Sequence, residues 1–390
     1  MNIKTYNAIS PKGLAALKDA GYQINADEDA DGILLRSQKL QNSDVADSVK
    51  AVVRAGAGFN NIPVADLSAR GIPVFNTPGG NANAVKELTI AALIMAARPI
   101  LAAVRFAQET RGGDVSLRTE SNKGGYRGTE LSGKTLGVIG LGNVGSKVAN
   151  TALDLDMEVI GYDPGLNANT AWRIDRRVEH ASNLDDLLNK SDYITVHIPL
   201  NEANRHFIDA DKLAKMKPSA ALINFSRGGI VDDQAVVKAL DADKLRLFTT
   251  DFSDDVLFDQ PKVMVTPHIG GSTIEAEDTS AMMAAHQMEA FLEDGNIINS
   301  VNFPEMNLPF TSQYRIGVLH KNVPNMLGQI SKVFGQVDIN IAELNNRSRG
   351  DYAYTLVAFD HLGQGQTEAI QAELKAIPQV LNLHFYEKKA

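Results

Sequence analysis

The chain has 390 residues, of which 44% are hydrophobic and 22% charged, and its formal net charge is -9. This composition is typical of a globular protein of two or three domains, and the negative charge argues against nonspecific binding to nucleic acid. The absence of cysteine excludes disulfides and thiolate catalysis. No apolar run approaches the roughly 20 residues of a transmembrane helix, and the amino terminus does not resemble a signal peptide. We therefore expect a cytoplasmic protein that does not bind membranes.

Short apolar runs alternate with helical patterns along most of the chain, as in a parallel sheet covered by helices. A long helical pattern covers residues 84–97 and ends before Pro99, and the polar segment 111–128 is predicted to be a loop. We predict strands at residues 33–35, 51–53, 72–75, 135–139, 158–162, 192–197, 220–225, 247–250 and 263–266, and a helix at 273–294. The fold class is therefore α/β with doubly wound sheets.

The carboxyl-terminal residues follow a different order of elements. The pattern predicts a strand at 314–320, a helix at 324–336, strands at 339–347 and 351–360, a helix at 366–377 and a strand at 380–387. This βαββαβ order is that of a ferredoxin-like domain.

The strongest motif is a glycine-rich turn of the form G-x-G-x-x-G at Gly140, Gly142 and Gly145, after the apolar strand 135–139. Asp163 ends the next strand. This context is that of a dinucleotide-binding fingerprint, in which the pyrophosphate lies on the helix N-terminus and the acid accepts hydrogen bonds from the ribose. A carboxylate at this position repels a 2′-phosphate, so we predict NAD rather than NADP.

Two further side chains follow strands of the same predicted sheet. Arg227 follows strand 220–225, where a guanidinium can bind a substrate carboxylate bidentately. His268 follows strand 263–266, and its imidazole can accept a hydroxyl proton as hydride leaves. An acid paired with His268 would fix its tautomer. Asp251 is better placed for the carboxamide of the cofactor, which leaves Asp254 or Asp255 for this role.

These residues resemble the D-isomer-specific 2-hydroxyacid dehydrogenases. The similarity extends over nearly the whole chain. Besides the fingerprint, it is carried by residues 54–62, 76–81, 87–88, 197–200, 226–229 and 266–273.

The resemblance implies a role for each of these segments. Arg227 would orient the substrate, and His268 would be the acid/base, with Asp255 as its partner and Asp254 as the alternative. The implied NAD-binding residues are Gly140, Gly142, Asn143, Val144, Gly145, Asp163, Pro164, His197, Pro199, Phe225, Ser226, Asp251, Gly270 and Gly271. The implied substrate-binding residues are Arg36, Ser37, Ala55, Gly56, Ala57, Gly58 and Asn81, with Arg36 facing a phosphate and Lys39 as a helper.

One position departs from the family pattern. The partner of the histidine is usually a glutamate a few residues after the position of Asp251, and this chain has no glutamate between Asp251 and His268. An aspartate is one methylene shorter, so its loop must come closer to the imidazole. Lys86 is a second unusual residue, which either reaches the phosphate or lies on a solvated face.

The resemblance also implies the domain organisation and the reaction. A substrate domain of residues 1–92 would be completed by 273–300, with an NAD domain of residues 93–272 inserted, a linker at 301–312 and a last domain at 313–390. The implied reaction is oxidation of 3-phospho-D-glycerate to 3-phosphohydroxypyruvate, the first step of L-serine biosynthesis. Two alternatives stay open: a glyoxylate or hydroxypyruvate reductase, and a non-catalytic NAD sensor.

The carboxyl-terminal domain resembles an ACT domain, a ligand-sensing module. The resemblance implies that His320, Asn322 and Asn340 hold an effector amino acid, with L-serine as the candidate, between two subunits. A purely dimerising domain is the alternative. The resemblance further implies a homodimer through the helix that begins near Ala84, or a homotetramer through the ACT domains.

Overall fold

The computed structural model describes residues 1–26 and 29–389 and divides the chain into two compact units. The first unit contains residues 1–80 and 277–390, and the second unit contains residues 81–276. The first boundary therefore lies at 80/81 and not at the predicted 92/93. The reason is that the helix after residue 81 buries its apolar face in the core of the second unit.

The amino-terminal part of the first unit is a parallel sheet of five strands in the order β2-β1-β3-β4-β5. The side chains of Ile33, Leu34 and Val53 are fully buried, as expected for strands covered on both faces. The elements are β1 (Asn2–Tyr6), α1 (Pro11–Asp19), β2 (Gln23–Ile24), β3 (Gly32–Leu35), β4 (Ala51–Arg54), α2 (Val64–Ala69) and β5 (Val74–Phe75).

The second unit is built on a parallel sheet of seven strands in the order β12-β11-β10-β9-β6-β7-β8. Its strands are β6 (Thr135–Ile139), β7 (Glu158–Tyr162), β8 (Glu179–His180), β9 (Tyr193–Val196), β10 (Ala221–Asn224), β11 (Leu247–Thr250) and β12 (Val263–Val265). Its helices are α3 (Ala82–Ala97), α4 (Ile100–Glu109), α5 (Val115–Asn122), α6 (Gly145–Leu153), α7 (Ala168–Ala171), α8 (Leu184–Lys190), α9 (Ala210–Leu213), α10 (Asp233–Asp241) and α11 (Asp255–Phe258). The strand order reverses between β6 and β9, which places the ligand crevice at the carboxyl ends of these strands.

The segment predicted to be a loop at 111–128 contains helix α5, which corrects the prediction. No residue of α5 is buried, so its sequence carries no apolar periodicity to reveal the helix. No single helix in the described chain is long and apolar enough to cross a membrane. By length and composition alone, α3 and α4 pass that test as a pair, with a bend of 70° between them.

The rest of the first unit begins with a long helix and ends with an antiparallel sheet in the order β14-β15-β13-β16. The elements are α12 (Ile274–Asp294, whose first residues lie in the second unit), β13 (Tyr314–Lys321), α13 (Met326–Gln336), β14 (Glu343–Arg349), β15 (Tyr352–Phe359), α14 (Gln366–Lys375) and β16 (Val380–Glu387). This is the βαββαβ order expected from the sequence. Its two helices cover one face of the sheet around Val318, Phe334 and Ile370.

The second face of the antiparallel sheet packs against the rest of the first unit. Leu319 and Tyr354 share a core with Ile3, Phe291 and Phe303. The predicted linker at 301–312 is therefore a folded segment, because Phe303 and Met306 are buried and Met306 pairs with Ile297 in a β-bridge. The packing of this segment was not predicted from the sequence, because the segment has no periodic apolar pattern.

Buried Arg315 fixes this junction. Its guanidinium donates to the carbonyl oxygens of Asp294 at 3.1 Å and of Leu308 at 3.3 Å, and also to that of Pro309. The hydroxyl of Tyr354 donates to the carbonyl of Gly295 at 2.8 Å. The bonds to Asp294 and Gly295 satisfy carbonyl groups at the C-terminal end of α12, which have no partner within the helix.

Candidate active site

The glycine-rich turn joins β6 to α6, as the sequence predicts. Gly140 has a φ of +87°, and a Cβ there would lie 2.5 Å from the carbonyl oxygen of His197. A Cβ on Gly145 would overlap the carbonyl oxygen of Gly140, whereas a Cβ on Gly142 would meet nothing within 4 Å. The turn is thus closely packed at its first and third glycines and open at the second, which fits a pyrophosphate lying over Gly142.

Asp163 is held beside this turn by two backbone groups. Its carboxylate oxygens accept hydrogen bonds from the N–H groups of Leu141 and Gly165, each at 2.9 Å. Each oxygen retains a lone pair for a ribose hydroxyl. The turn and its acid therefore fit NAD, as predicted. Of the neighbouring predicted residues, Asn143 accepts a hydrogen bond from Arg173 at 3.3 Å, and Pro164 is exposed.

Arg227 lies in the turn after β10, and the last residue of that strand fixes the turn. The amide of Asn224 donates to the carbonyl of Arg227 at 3.0 Å and accepts from the N–H of Ser226 at 3.1 Å. The guanidinium is partly buried and donates to the carbonyl of Ser226 at 2.7 Å. Burial lowers the pKa of Arg227, and the negative charge of Asp251 opposes that shift.

The loop that carries His268 is attached to the end of β11. The backbone N–H of His268 donates to the carbonyl of Asp251 at 3.0 Å, and His268 has a φ of +49°. Its ring packs edge-on against Phe252, with 4.9 Å between ring centroids. A Cβ on Gly271 would lie 2.7 Å from the amide nitrogen of Asn81. The loop is thus held between Asp251 and the N-terminus of α3, which brings the predicted substrate residue Asn81 beside it.

Asp251 interacts with both functional residues: its carbonyl accepts the N–H of His268, and its charge acts on Arg227. It is 1% exposed, and one carboxylate oxygen accepts the N–H of Gly270 at 3.0 Å. Burial raises the pKa of Asp251, and the N–H of Gly270 and the charges of His268 and Arg227 oppose the rise. Among the described residues, its other oxygen, Oδ1, has no hydrogen-bond partner although it is buried. That oxygen fits a carboxamide N–H donor of nicotinamide.

The predicted pair between Asp255 and His268 is not formed, which corrects the sequence expectation. Within the described residues, the imidazole of His268 has no hydrogen-bonded carboxylate. Asp254 caps α11 by accepting the N–H of Val256 at 3.1 Å, and Asp255 is the exposed first residue of that helix. A carboxylate is stabilised there by the helix dipole, so neither acid needs the imidazole as a partner.

The remaining predicted cofactor residues lie at the carboxyl ends of β9 and β10. The hydroxyl of Ser226 donates to the carbonyl of Val196 at 2.5 Å and ties these strand ends together. Burial lowers the pKa of His197 to about 3, so this imidazole is neutral at physiological pH. Phe225 is buried and Pro199 is exposed.

The predicted substrate loop lies in the first unit. Hydrogen bonds fix each residue of this loop. The N–H of Ala55 donates to the carbonyl of Leu35, and the carbonyl of Gly56 accepts from the N–H of Thr77. The carbonyl of Ala57 accepts from the side-chain amide of Asn76, and that of Gly58 accepts from the guanidinium of Arg54. The loop is therefore rigid. The backbone N–H groups of Ala57 and Gly58 have no hydrogen-bond acceptor within residues 1–26 and 29–389. They are therefore available to bind an anion.

Arg36 follows β3 and forms an ion pair with Glu277, with 2.7 Å between Nη1 and Oε1. The backbone N–H of Ser37 donates to Asn7 at 3.1 Å, and Lys39 is exposed. Lys86 lies in the second unit, 3.4 Å from the carboxylate of Glu87 on the same helix.

Sequence reasoning missed three residues that shape this region. Arg54 supports the loop of residues 55–58, Asn7 holds the backbone after Arg36, and Glu277 pairs with Arg36. Arg54 was detectable, because it is a cation at the end of a buried strand. Glu277 binds Arg36, and Asn7 binds the N–H groups of Ser37 and Gln38, in both cases from a distant part of the chain, so no local pattern marks either residue.

The predicted effector residues lie at and after the end of β13. His320 is buried, with Nδ1 2.9 Å from the carbonyl of Lys321 and Nε2 2.8 Å from the hydroxyl of Thr355. Asn322 and Asn340 are exposed, and the Asn322 amide donates to the carbonyl of Gly350 at 3.0 Å. Both ring nitrogens of His320 are therefore engaged within the chain.

The chain is similar to known dehydrogenases over most of its length. Residues 90–270 match the model of the family described as D-isomer specific 2-hydroxyacid dehydrogenase, NAD binding domain. The chain is 32% identical to D-3-phosphoglycerate dehydrogenase of Escherichia coli strain K12, over 95% of this chain and 93% of that protein. A structure of NAD+-bound 3-phosphoglycerate dehydrogenase of Entamoeba histolytica is similar with a TM-score of 0.62 and 25% identity, over 77% of this chain and 98% of that one. A glyoxylate reductase structure from Paecilomyes thermophila has a TM-score of 0.64 at 24% identity, over 77% of this chain and 98% of that one.

The chain belongs to the D-isomer-specific 2-hydroxyacid dehydrogenase family. It is an NAD-dependent oxidoreductase, so the cofactor and the enzyme class inferred from the glycine turn and Asp163 are confirmed.

Proposed function

We propose that this chain oxidises 3-phospho-D-glycerate to 3-phosphohydroxypyruvate with NAD, the first step of L-serine biosynthesis. The observation that carries the proposal is that Arg227, Asp251 and His268 follow the neighbouring strands β10, β11 and β12, with the N–H of His268 donating to the carbonyl of Asp251 at 3.0 Å. The phosphorylated substrate is supported by the name of the Escherichia coli relative and by Arg36, a cation beside the rigid loop of residues 55–58.

Each residue has one step in this reaction. Arg227 binds the substrate carboxylate. In the first unit, the backbone N–H groups of Ala57 and Gly58 are the proposed donors to an anion. His268 accepts the proton of the C2 hydroxyl as the C2 hydride leaves, so that alcohol becomes ketone. NAD, when bound, accepts the hydride. Asp251 holds the His268 loop and keeps its buried oxygen for the carboxamide.

A substrate panel tests the proposal. NADH formation is measured with 3-phospho-D-glycerate, D-glycerate and D-lactate for the wild type and for His268→Ala and Arg36→Ala. We expect activity on the phosphorylated acid only, a loss in H268A with NAD binding retained, and a raised KM in R36A. A preference for glyoxylate or hydroxypyruvate reduction would favour the reductase alternative, and NAD binding without turnover would favour a sensor.

The proposal includes a homo-oligomer. The resemblance implies an interface on α3, the helix that begins near Ala84, and we propose that α4 and α5, which follow it, form part of the same interface. The exposed fractions are 55% for Leu101, 47% for Val104 and 68% for Leu117. Large apolar side chains exposed in this way are typical of a surface that binds another protein chain. A second copy of the chain is the proposed partner. Light scattering should give a dimer or tetramer mass for the wild type and a smaller mass for the double variant Leu101→Glu, Leu117→Glu.

The proposal also includes an effector site in the carboxyl-terminal domain, with the ACT resemblance as its basis and L-serine as its ligand. Asn322 and Asn340 are exposed and available to an amino acid. His320 would have to exchange one of its two internal hydrogen bonds to take part. Calorimetric titration of the wild type and Asn340→Ala with L-serine tests this. Heat of binding lost in the variant supports the site, and no heat in either protein contradicts it.

A further inference from the structure

The side chain assigned to the substrate phosphate already holds a carboxylate. Arg36 Nη1 lies 2.7 Å from Oε1 of Glu277, in the first turn of α12, and the two side chains are 35% and 40% exposed. Half-exposed ion pairs of this kind stabilise a protein only weakly. The pair is therefore easily exchanged for a ligand that binds the guanidinium better.

The backbone that carries Arg36 is fixed, so only its side chain can change partner. The carbonyl of Arg36 accepts from Nε of Arg54 at 2.8 Å and from the amide of Asn61 at 3.2 Å. The next two backbone N–H groups, those of Ser37 and Gln38, both donate to the side chain of Asn7, at 3.1 and 2.6 Å. The guanidinium is thus presented from a rigid base.

The acid next to Glu277 on α12 is engaged elsewhere. Asp278 lies 2.7 Å from Nζ of Lys12 and accepts the hydroxyl of Ser10 at 2.5 Å. Among the described residues, Glu277 is the carboxylate that forms an ion pair with Arg36. It therefore sets the charge that an incoming anion meets at this guanidinium.

A phosphate dianion and a carboxylate compete differently against Glu277. The phosphate carries the greater charge and can bind a guanidinium through two oxygens, so it displaces a single carboxylate. The carboxylate of a ligand has the same charge as the carboxylate of Glu277, so it does not bind the guanidinium more strongly. We propose that Glu277 sets the affinity of this site for anions: its carboxylate occupies Arg36 in the free chain and is displaced by the substrate phosphate. This inference rests on the proposed function.

The variants Glu277→Gln, Asp278→Asn and Arg36→Ala test it, with inorganic phosphate and malonate as competitive inhibitors. Without its competitor, Arg36 should bind anions more tightly. In E277Q we expect the KM for 3-phospho-D-glycerate and the Ki for phosphate to fall by about twofold to fivefold. The Ki for malonate should fall by a smaller factor, because a carboxylate binds Arg36 less tightly than phosphate does, and the effect on kcat should be much smaller than that on KM. D278N should resemble the wild type in all four constants.

The outcomes separate this inference from the proposed function. If E277Q leaves KM and both Ki values unchanged or raises them, while R36A raises KM, the competitor role of Glu277 is wrong and the phosphate anchor stands. If R36A also leaves KM unchanged, the assignment of Arg36 to the phosphate fails and this inference fails with it. An equal change in D278N and E277Q would show a general effect of helix charge and would overturn the proposal.

Discussion

Asp251 accepts a hydrogen bond from the backbone N–H of Gly270 at 3.0 Å, two residues after His268. This bond joins the end of β11 to the loop that carries the acid/base. The negative charge of the same buried carboxylate also acts on Arg227 and opposes the lowering of its pKa by burial. One buried acid therefore fixes the position of the histidine and balances the charge of the arginine, although the family pattern led us to expect a separate acid.

Asp251→Asn should lower kcat by about tenfold to a hundredfold, the scale of a disturbed acid/base group. The amide can still accept the Gly270 N–H, so the fold is retained, but the negative charge between Arg227 and His268 is lost. Steady-state kinetics and thermal unfolding measure the two effects.

Asp255→Asn distinguishes this arrangement from the one expected from sequence. The structure predicts near wild-type kcat, because Asp255 is an exposed residue of α11. A hundredfold loss in this variant, with D251N active, would show that the loop moves to pair Asp255 with the imidazole.

Gly142→Ala should weaken NAD binding by at least about tenfold, because a methyl group would occupy the space over which the pyrophosphate lies. Apart from its chain neighbours, no residue that the structure describes lies within 4 Å of that methyl group, so the melting temperature should change little. Calorimetric titration with NAD and a thermal melt measure both quantities.

Gly145→Ala is the matched comparison. Its methyl group would overlap the carbonyl of Gly140, so the protein itself is strained and the melting temperature should fall. Equal effects of the two variants on folding would contradict the assignment of Gly142 to the cofactor.

The sequence predicts those parts of the site that have a local signal. The glycine turn, Asp163, Arg227 and His268 each follow an apolar strand, and parallel strands bring their carboxyl ends to one edge. The role of Asp254 was not predictable in this way, because an aspartate that caps a short helix looks the same as one that faces an imidazole. Glu277 was missed because its partner, Arg36, lies in a distant part of the chain.

The docking of the carboxyl-terminal sheet on the first unit was also missed. Apolar and polar residues alternate along its strands, as is typical of a sheet with one covered face and one solvated face. The sequence does not show that other residues of the first unit cover the second face. Arg315 appears in the sequence as an ordinary charged residue of a strand. In the structure it is 1% exposed and donates to three carbonyl groups.

Arg315→Met should therefore destabilise the protein by about 3 kcal/mol, since it removes a buried donor that bonds three carbonyl groups. Urea unfolding followed by circular dichroism measures the change. Arg347→Met is the control, because Arg347 is exposed and donates to one carbonyl, that of Glu305. Equal midpoints for the two variants would mean that the Arg315 hydrogen bonds do not hold the junction.

Asp233, at the start of α10, makes stability depend on pH. Burial, together with the negative charges of Asp254 and Asp232, raises the pKa of Asp233 from 3.8 to about 6. The folded chain thus binds this proton more tightly than the unfolded chain. The associated stability is fully present below about pH 4 and is lost as the pH rises to about 6.

Asp233→Asn should stabilise the protein at pH 7.5 by about 1 kcal/mol, a value reduced for solvent screening at a partly exposed group. At pH 4 the gain should vanish, because the wild-type carboxyl is then protonated in the folded state. Asp254→Asn keeps the helix cap and removes one of the repelling charges, so it should give a smaller gain at pH 7.5. The double variant should gain less than the sum of the two, because both act on one repulsion. Strict additivity, or a gain at pH 4 equal to that at pH 7.5, would show that the two carboxylates do not interact.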